Sequence, residues 1–222
     1  MDLERYETLV VISDIRPLDL CFFDLLPDGG FIIEEARKKN MRLAFNGSFF
    51  TYDKTSGYVC RGKIINRGRV VNRGQIGYDW AYTFYILKNG RLMIDKHDAS
   101  LKTEDIHLGV EAGPRLVQGG EVVEGLCDKK KGSRIAIGWD DNGLLRVAAM
   151  KERVTLNKFA RLLRNAGFSY ALNLDGGGSM ALYYREGPKS ICVIGIPSNR
   201  YDDKVYEQGP FGRKVPHMIG IE

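Results

Sequence analysis

The segment with the clearest chemical character covers residues 172–179 and reads LNLDGGGS. A short apolar stretch ends there in the carboxylate of Asp175, and three consecutive glycines follow. Glycine permits positive φ and a close approach of the backbone to a ligand, with N–H groups exposed to an anion. The segment lacks both the Gly-Lys-Ser/Thr of a Walker loop and the second glycine of a nucleophile elbow. It predicts a turn at a strand end that either binds a ligand or is purely structural.

Carboxylates are the groups best suited to acid–base chemistry in this chain. Its 3 histidines, His97, His107 and His217, show no HExxH or other paired spacing, and its 4 cysteines form no CxxC motif. These absences disfavour a zinc hydrolase and a Ser-His-Asp triad. If the protein is a hydrolase, carboxylates must therefore carry its acid–base chemistry. No cofactor is predicted, and a divalent ion near Asp175 stays open because it has no sequence signature of its own.

The composition is that of a globular protein, and its mild positive charge suits an anionic ligand. The chain has 222 residues, a formal net charge of +5, 44% hydrophobic and 27% charged residues, which predicts one domain over residues 1–222. The positive surplus is mild, and no stripe of basic and aromatic residues predicts nucleic-acid binding. No apolar run reaches the length of a membrane span, and the charged N-terminus does not resemble a signal peptide. We therefore expect a cytoplasmic protein, either of the host or encoded by a virus in the host cytoplasm; the oligomeric state is not predicted.

The elements that must position these residues are mostly short strands. Glycine and asparagine turns predict hairpins over residues 63–71, 83–94 and 134–148. Helices are predicted over residues 31–39 and 156–166, the second with Thr155 as N-cap and Gly167 just past its end. The predicted fold class is α+β: a single domain with a mixed, mainly antiparallel sheet and a few packed helices.

A weak internal repeat links the two helices. Each is followed by a short apolar strand and a small polar turn, which places Asn46-Gly47 and Asp175-Gly176 at equivalent positions. Ligands in sheets flanked by helices are held at the carboxyl ends of strands. If the two strands lie side by side, Asn46 and Asp175 face one cleft.

Five segments, in this order, resemble the phosphodiester glycosidase family: AFNGSFF (44–50), AGPRLV (112–117), RIAIG (134–138), ALNLDGGGS (171–179) and RKVP (213–216). That family includes the lysosomal "uncovering enzyme", which removes α-linked N-acetylglucosamine from a phosphodiester to expose mannose phosphate. The resemblance covers nearly the whole chain from about residue 8, and the LNLDGGGS segment is its most specific part. His217 departs from the pattern, because an asparagine often follows Val-Pro in the family.

The resemblance implies an active site around Asp175, with Glu111 as the less supported second acid. The substrate-binding residues are then Asn46, Gly47, Arg134, Asn173, Gly176, Gly177, Gly178, Ser179 and Arg213. Amide groups of the asparagines suit sugar hydroxyls or phosphate, and the planar guanidinium of Arg134 suits phosphate. Each residue also has a structural alternative, such as turn capping for Asn46 and Asn173 or a place at the strand edge for Arg134.

The reaction that these roles predict is cleavage of the bond between a sugar's anomeric carbon and a phosphate ester. An alternative is a cytosolic or virus-encoded enzyme that cleaves a nucleotide signal of the ADP-ribose type, or a protein that only sequesters it. The ligand in either case is a small anionic sugar phosphate or nucleotide. Anomeric retention or inversion depends on the distance between carboxylates, which the sequence does not contain.

Overall fold

A computed structural model describes residues 2–6, 9–96, 101–196, 208–210 and 212–222. His97 lies outside the described residues. Two α-helices are present, α1 (Ile32–Lys38) and α2 (Leu156–Asn165), with three short 3-10 turns at Pro17–Asp19, Thr103–Asp105 and Gly177–Ser179. The strands in chain order are β1 (Asp2–Tyr6), β2 (Leu9–Ile15), β3 (Cys21–Asp24), β4 (Leu43–Phe45), β5 (Phe50–Asp53), β6 (Gly57–Cys60), β7 (Ile64–Asn66), β8 (Arg69–Asn72), β9 (Tyr82–Leu87), β10 (Leu92–Asp95), β11 (Ile106–Ala112), β12 (Arg115–Gln118), β13 (Glu121–Val122), β14 (Gly132–Trp139), β15 (Leu145–Val154), β16 (Tyr170–Asn173), β17 (Ala181–Glu186), β18 (Lys189–Ile194), β19 (Gln208–Gly209), β20 (Gly212–Arg213) and β21 (His217–Ile221).

Three sheets make up most of the fold. Their strand orders are β1-β2-β15-β14-β16-β12-β13, β10-β9-β11-β7-β8 and β18-β17-β4-β21-β3. The short pairs β5-β6 and β19-β20 stand apart from them. The strand β16, which leads into Asp175, is therefore internal to the seven-stranded sheet, and β4, which leads into Asn46, is central in a five-stranded sheet.

The inner faces of the three sheets share one apolar core. Alternation of side chains along each strand sends one set inward and the other outward. Phe45 of β4, Phe84 of β9 and Leu172 of β16 are all fully buried in this shared core. The division of the chain into domains stays a prediction, but the three sheets described here bury a common interior.

Each helix covers the outer face of one sheet. The apolar side of α2, including Phe159 and Leu163, packs on the outward residues of the seven-stranded sheet, such as Ala171. Ile33 and Ala36 of α1 pack on the outward residues of the β4 sheet. Each helix thus packs on the sheet that contains the strand following it in the chain. The two predicted helix-strand units therefore lie in two different sheets.

The predicted local elements are present with small shifts in their ends. Thr155 accepts a hydrogen bond from the N–H of Lys158 at 3.2 Å, as an N-cap should, and Gly167 has φ of +82° just past the helix. The three predicted hairpins correspond to β7-β8, β9-β10 and β14-β15. No helix among the described residues is long and apolar enough to cross a membrane.

The predicted fold class needs correction on two points. The sheets are not mixed, because every strand pairing between described residues is antiparallel. The fold is also richer in strands than the α+β prediction, since only two α-helices accompany the strands of the described residues. Tight turns account for the antiparallel pairs of consecutive strands, such as β7-β8, β9-β10 and β14-β15. The pairs of distant strands, such as β4 with β17, are fixed only by the tertiary structure.

Gly138 allows β14 and β16 to approach closely at the end opposite to Asp175. A Cβ atom at Gly138 would lie 2.9 Å from the Cα of Ala171 and would overlap the carbonyl oxygen of Tyr170. Both atoms belong to the backbone of β16, so neither can rotate away. This glycine is therefore required for the sheet that positions Asn173 and Asp175.

We expect Gly138→Ala to lower the free energy of unfolding by about 1–3 kcal/mol, because the methyl group overpacks a strand interface. Chemical denaturation monitored by circular dichroism measures the change. Gly77→Ala is the matched control, since a Cβ at Gly77 meets no atom within 4 Å. Equal stability of the two variants would contradict this account of Gly138.

Candidate active site

The carboxyl ends of β4 and β16 meet although the strands belong to different sheets. The Nδ2 of Asn46 donates to the backbone oxygen of Asp175, and the N–H of Asp175 donates to the oxygen of Gly47 at 3.0 Å. The internal repeat predicted that the two turns lie together because their strands would be side by side. In the structure the strands belong to different sheets and meet only at their ends. The structure therefore brings Asn46, Gly47 and Asp175 into contact.

Asn46 serves as a brace between backbone segments. Its Oδ1 accepts the N–H of Ala181 at 3.1 Å while its Nδ2 holds the carbonyl of Asp175, and its side chain is buried. Both ends of the amide are thus engaged with backbone groups. This geometry favours the turn-capping alternative for Asn46, and the prediction that it binds substrate stays a prediction.

The glycine turn lies directly against the start of β14. A Cβ at Gly176 would lie 2.6 Å from the oxygen of Ser133 and 3.8 Å from the Cα of Arg134, so only glycine fits there. Gly177 has φ of +60°, a left-handed conformation that glycine adopts readily. Asp175 and the glycines 176 and 177 are half-buried, whereas Gly178 is buried. The turn and Arg134 are therefore neighbours in space.

Arg134 is a half-buried cation that bonds to backbone carbonyls. Its Nε donates to the oxygen of Val154 at 3.2 Å and its Nη2 to the oxygen of Lys130 at 2.9 Å. Burial lowers the pKa of the guanidinium, and the charge of Cys127 partly offsets that effect. No ion pair joins Arg134 to a carboxylate of the described residues. A desolvated cation without such a counter-ion favours an anionic ligand.

Arg213 and Ser179 approach the glycine turn from another side. Arg213 is buried on β20, and its Nη1 donates to the Oγ of Ser179 at 3.3 Å. Ser179 closes the Gly177–Ser179 turn and is also buried. The two predicted ligand-binding residues thus contact each other next to the turn.

Asn173 clamps β16 to the loop between β11 and β12. Its Nδ2 donates to the oxygen of Gly113 at 2.9 Å, and its backbone oxygen accepts the N–H of Gly113 at 2.9 Å. The Asn173 N–H donates to the oxygen of Pro114 at 3.0 Å. These bonds fix the strand two residues before Asp175, which is a positioning role that the sequence did not predict.

Glu111, on β11, lines a cavity and accepts two backbone hydrogen bonds. Its Oε2 accepts the N–H of Lys63 at 2.8 Å and its Oε1 accepts the N–H of Ile76 at 3.1 Å. It lines a cavity of about 270 Å³ together with Lys63 and Arg73, and none of Asn46, Arg134 and Asp175 lines that cavity. Both oxygens of this carboxylate are thus engaged with backbone N–H groups, which gives Glu111 a positioning role.

Sequence analysis missed His217 as a support of the site. This histidine is buried, stacks on Phe22 with ring centroids 5.5 Å apart, and accepts the N–H of Ser48 at its Nε2 at 3.0 Å. The bond requires a neutral ring with the proton on Nδ1. The departure from the family's asparagine after Val-Pro was the available signal, because an amide oxygen can accept the same bond.

Cys60 is the buried thiol of this region. Burial raises its pKa to about 12, so it stays protonated at neutral pH. A thiolate nucleophile at Cys60 is therefore disfavoured. No group of three or more histidine, cysteine or carboxylate side chains in the described part of the chain is arranged to hold a metal ion.

A family model named phosphodiester glycosidase matches residues 39–222. This chain belongs to the phosphodiester glycosidase family. The match includes each of the segments that meet at the Asp175 turn, among them the strand ends after β4 and β16. A search of curated proteins finds no match to the sequence.

Several solved structures have a fold similar to this chain over nearly its whole length. The catalytic domain of zebrafish N-acetylglucosamine-1-phosphodiester α-N-acetylglucosaminidase matches with a TM-score of 0.67 and 20% identity, over 96% of this chain and 76% of that one. A putative exported protein of Burkholderia pseudomallei gives a TM-score of 0.62 and 14% identity, over 96% and 73%. A hypothetical protein from Synechocystis gives 0.59 and 17%, over 99% and 61%. The phosphodiester glycosidase family consists of glycosidases, which supports an enzyme of the hydrolase class.

Burial makes His217 a source of pH-dependent stability in this member of the family. It lowers the pKa of the imidazole from 6.5 to about 4, so the unfolded state takes up the proton first as the pH falls. The stability that the neutral ring provides is complete above about pH 6.5 and is lost as the pH falls to about 4. We expect this loss to reach about 3 kcal/mol.

The experiment compares the wild type with His217→Gln, whose Oε1 can accept the Ser48 N–H without titrating. Unfolding free energies are measured by denaturation from pH 7.5 to pH 4, and the difference between the two proteins isolates His217 from the carboxylates. The difference in unfolding free energy between the two proteins should change by about 3 kcal/mol in favour of His217→Gln as the pH falls. Parallel curves for the two proteins would show that His217 is not the titrating group.

Proposed function

We propose that this protein hydrolyses the glycosidic bond between the anomeric carbon of a sugar and a phosphate ester. Two observations carry the proposal. The Asp175 turn packs through Gly176 on the backbone of Ser133 and Arg134, and the Arg134 side chain is a half-buried cation without a carboxylate partner among the described residues. Membership of the phosphodiester glycosidase family supports the reaction class. The zebrafish structure supports it through the fold alone.

The proposed reaction moves one electron pair to the phosphate. The bond between the anomeric carbon and the ester oxygen breaks, its electrons leave with the phosphate monoester, and water supplies the hydroxyl group and releases a proton. A phosphate ester is a weak base, so its departure needs less help from a general acid than that of an alcohol. The site must instead stabilise an oxocarbenium-like sugar and the charge on the phosphate.

The two tasks fall on different residues. In this proposal the carboxylate of Asp175 stabilises positive charge at the anomeric carbon. Arg134, with Arg213 and the N–H groups of the glycine turn, offers positive charge and donors for the phosphate. Glu111 is assigned a positioning role, since both of its oxygens hold backbone N–H groups.

Asp175→Asn tests the carboxylate. The substitution keeps the size of the side chain but removes its negative charge, so we expect kcat to fall by roughly 10² or more. Turnover is measured by mass spectrometry on a panel of sugar phosphodiesters, beginning with an α-linked N-acetylglucosamine phosphodiester. The panel also contains nucleotide-linked and cyclic ADP-ribose compounds, and turnover of those compounds alone would contradict the sugar-phosphodiester proposal.

The matched control is Asp141→Asn at the other end of β14. Asp141 lies in the turn that follows β14, about one strand length from Arg134, and it accepts a hydrogen bond from Ser169. This variant should retain wild-type turnover, and melting curves check that both variants are folded. A folded Asp175→Asn protein with wild-type kcat would remove Asp175 from the mechanism.

Arg134→Ala tests the phosphate site separately. Removal of the guanidinium should raise KM for phosphodiester substrates by about tenfold or more, the scale of one charge-assisted contact. It should weaken competitive inhibition by inorganic phosphate by a similar factor. Arg153→Ala is the matched control, because Arg153 is exposed and donates to the oxygen of Lys131 in the same loop. Equal KM and phosphate inhibition in the two variants would exclude Arg134 from phosphate binding.

A further inference from the structure

Two exposed aromatic rings, Tyr78 and Trp80, stack on each other next to the candidate active site, and we call this pair the platform. Tyr78 is 66% exposed and Trp80 is 40% exposed, and their rings stack with centroids 5.1 Å apart and planes 13° from parallel. The N–H of Ala81 donates to the oxygen of Tyr78 at 2.9 Å, which closes a turn over residues 78–81 and holds the pair together. Large exposed apolar side chains that lie together mark binding surfaces more often than isolated ones do.

The platform is anchored to the segments that carry the candidate site. The ring of Phe49, the residue after Ser48, meets Trp80 edge to face at 5.7 Å. Trp80 also lies against Gly113, where a Cβ atom would come within 2.6 Å of the Trp80 oxygen and 3.2 Å of its indole. Gly113 is bonded to Asn173, two residues before Asp175. Gly113 therefore links the rings to β16, the strand that leads to Asp175.

The platform and Arg134 lie on opposite sides of β16. In the seven-stranded sheet β16 stands between β14, which carries Arg134, and β12, which follows Gly113. The Asp175 turn contacts β14 through Gly176, whereas Asn173 contacts Gly113 and through it Trp80. A phosphodiester with its phosphate toward Arg134 and its anomeric carbon at Asp175 thus extends its sugar ring toward Trp80.

We propose that Tyr78 and Trp80 bind the sugar ring whose anomeric carbon is attacked. This inference rests on the proposed function, because the direction of the substrate follows from the phosphate site. The apolar C–H face of a sugar ring packs on the flat face of an aromatic side chain, and the phenol and indole N–H groups remain at the edge for hydroxyl groups. The residues thereby determine which glycosyl group the site accepts.

Steady-state kinetics distinguishes this role from a structural one. A platform that holds substrate and transition state equally raises KM when it is removed and leaves kcat unchanged. We expect Tyr78→Ala and Trp80→Ala each to raise KM by about tenfold, the scale of one ring-stacking contact. Tyr52→Ala is the matched control, since Tyr52 is also exposed and contacts Tyr58 on the β5-β6 hairpin. Melting curves confirm that each variant is folded.

A binding experiment tests the platform without relying on turnover. The chain contains 2 tryptophans, Trp80 and Trp139, so ligand stacking on Trp80 changes the intrinsic fluorescence. Asp175→Asn protein is titrated with N-acetylglucosamine 1-phosphate, with adenosine monophosphate and with inorganic phosphate. The sugar phosphate should change the fluorescence and phosphate alone should not. Adding Trp80→Phe should abolish the signal while the aromatic face and the binding remain.

The outcomes separate this proposal from the proposed function. A sugar-dependent signal that requires Trp80 supports the platform even if no phosphodiester is hydrolysed. A response to adenosine monophosphate alone would assign the platform to a nucleobase and overturn the sugar assignment. Unchanged KM in folded Tyr78→Ala and Trp80→Ala proteins, or no fluorescence response to the sugar phosphate, would overturn the proposal while hydrolysis by the wild type still supports the proposed function.

Discussion

The hydrogen bonds between the ends of β4 and β16 are the contact on which the candidate site depends. The amide of Asn46 spans the oxygen of Asp175 and the N–H of Ala181, and Asp175 in turn donates to Gly47. These bonds join two sheets at the point where the candidate residues gather. Because the Asn46 side chain is buried, loss of either bond leaves a backbone group without a partner and costs free energy. The position of Asp175 is therefore set by the neighbouring sheet as well as by its own strand.

Desolvation determines the charge of this region. His217 is buried and stays neutral, so it supports the Ser48 N–H as an acceptor. Arg134 is charged, and two of its N–H groups donate to backbone carbonyls. Carbonyl dipoles solvate a guanidinium without neutralising it, so positive charge remains at the glycine turn. That charge is the physical basis for proposing an anionic leaving group.

Two carboxylates of similar chemistry have separate roles because their surroundings differ. Glu111 accepts the backbone N–H groups of Lys63 and Ile76 and holds both segments in place. The segment that begins at Ile76 continues to Tyr78 and Trp80. Asp175 stands half-buried at the end of β16 beside the glycine turn. A carboxylate that accepts backbone N–H groups orders a loop, whereas one at a strand end near a cation can face a substrate. The same side-chain chemistry thus supports the shape of the site in one place and the proposed reaction in the other.

The sequence by itself determined the local elements and the family. Helix α2, its Thr155 cap and three hairpins follow from short-range periodicity and turn chemistry, and residues 172–179 carry the most specific family segment. The tertiary structure alone decided that all described pairings are antiparallel and that β4 and β16 meet end to end from different sheets. It also decided that Asn46 and Glu111 use their side chains on backbone groups and that His217 supports the site. Hydrogen bonds between residues more than 100 positions apart, such as Asn46 to Asp175, leave no periodic signal, because they depend on how separate sheets pack.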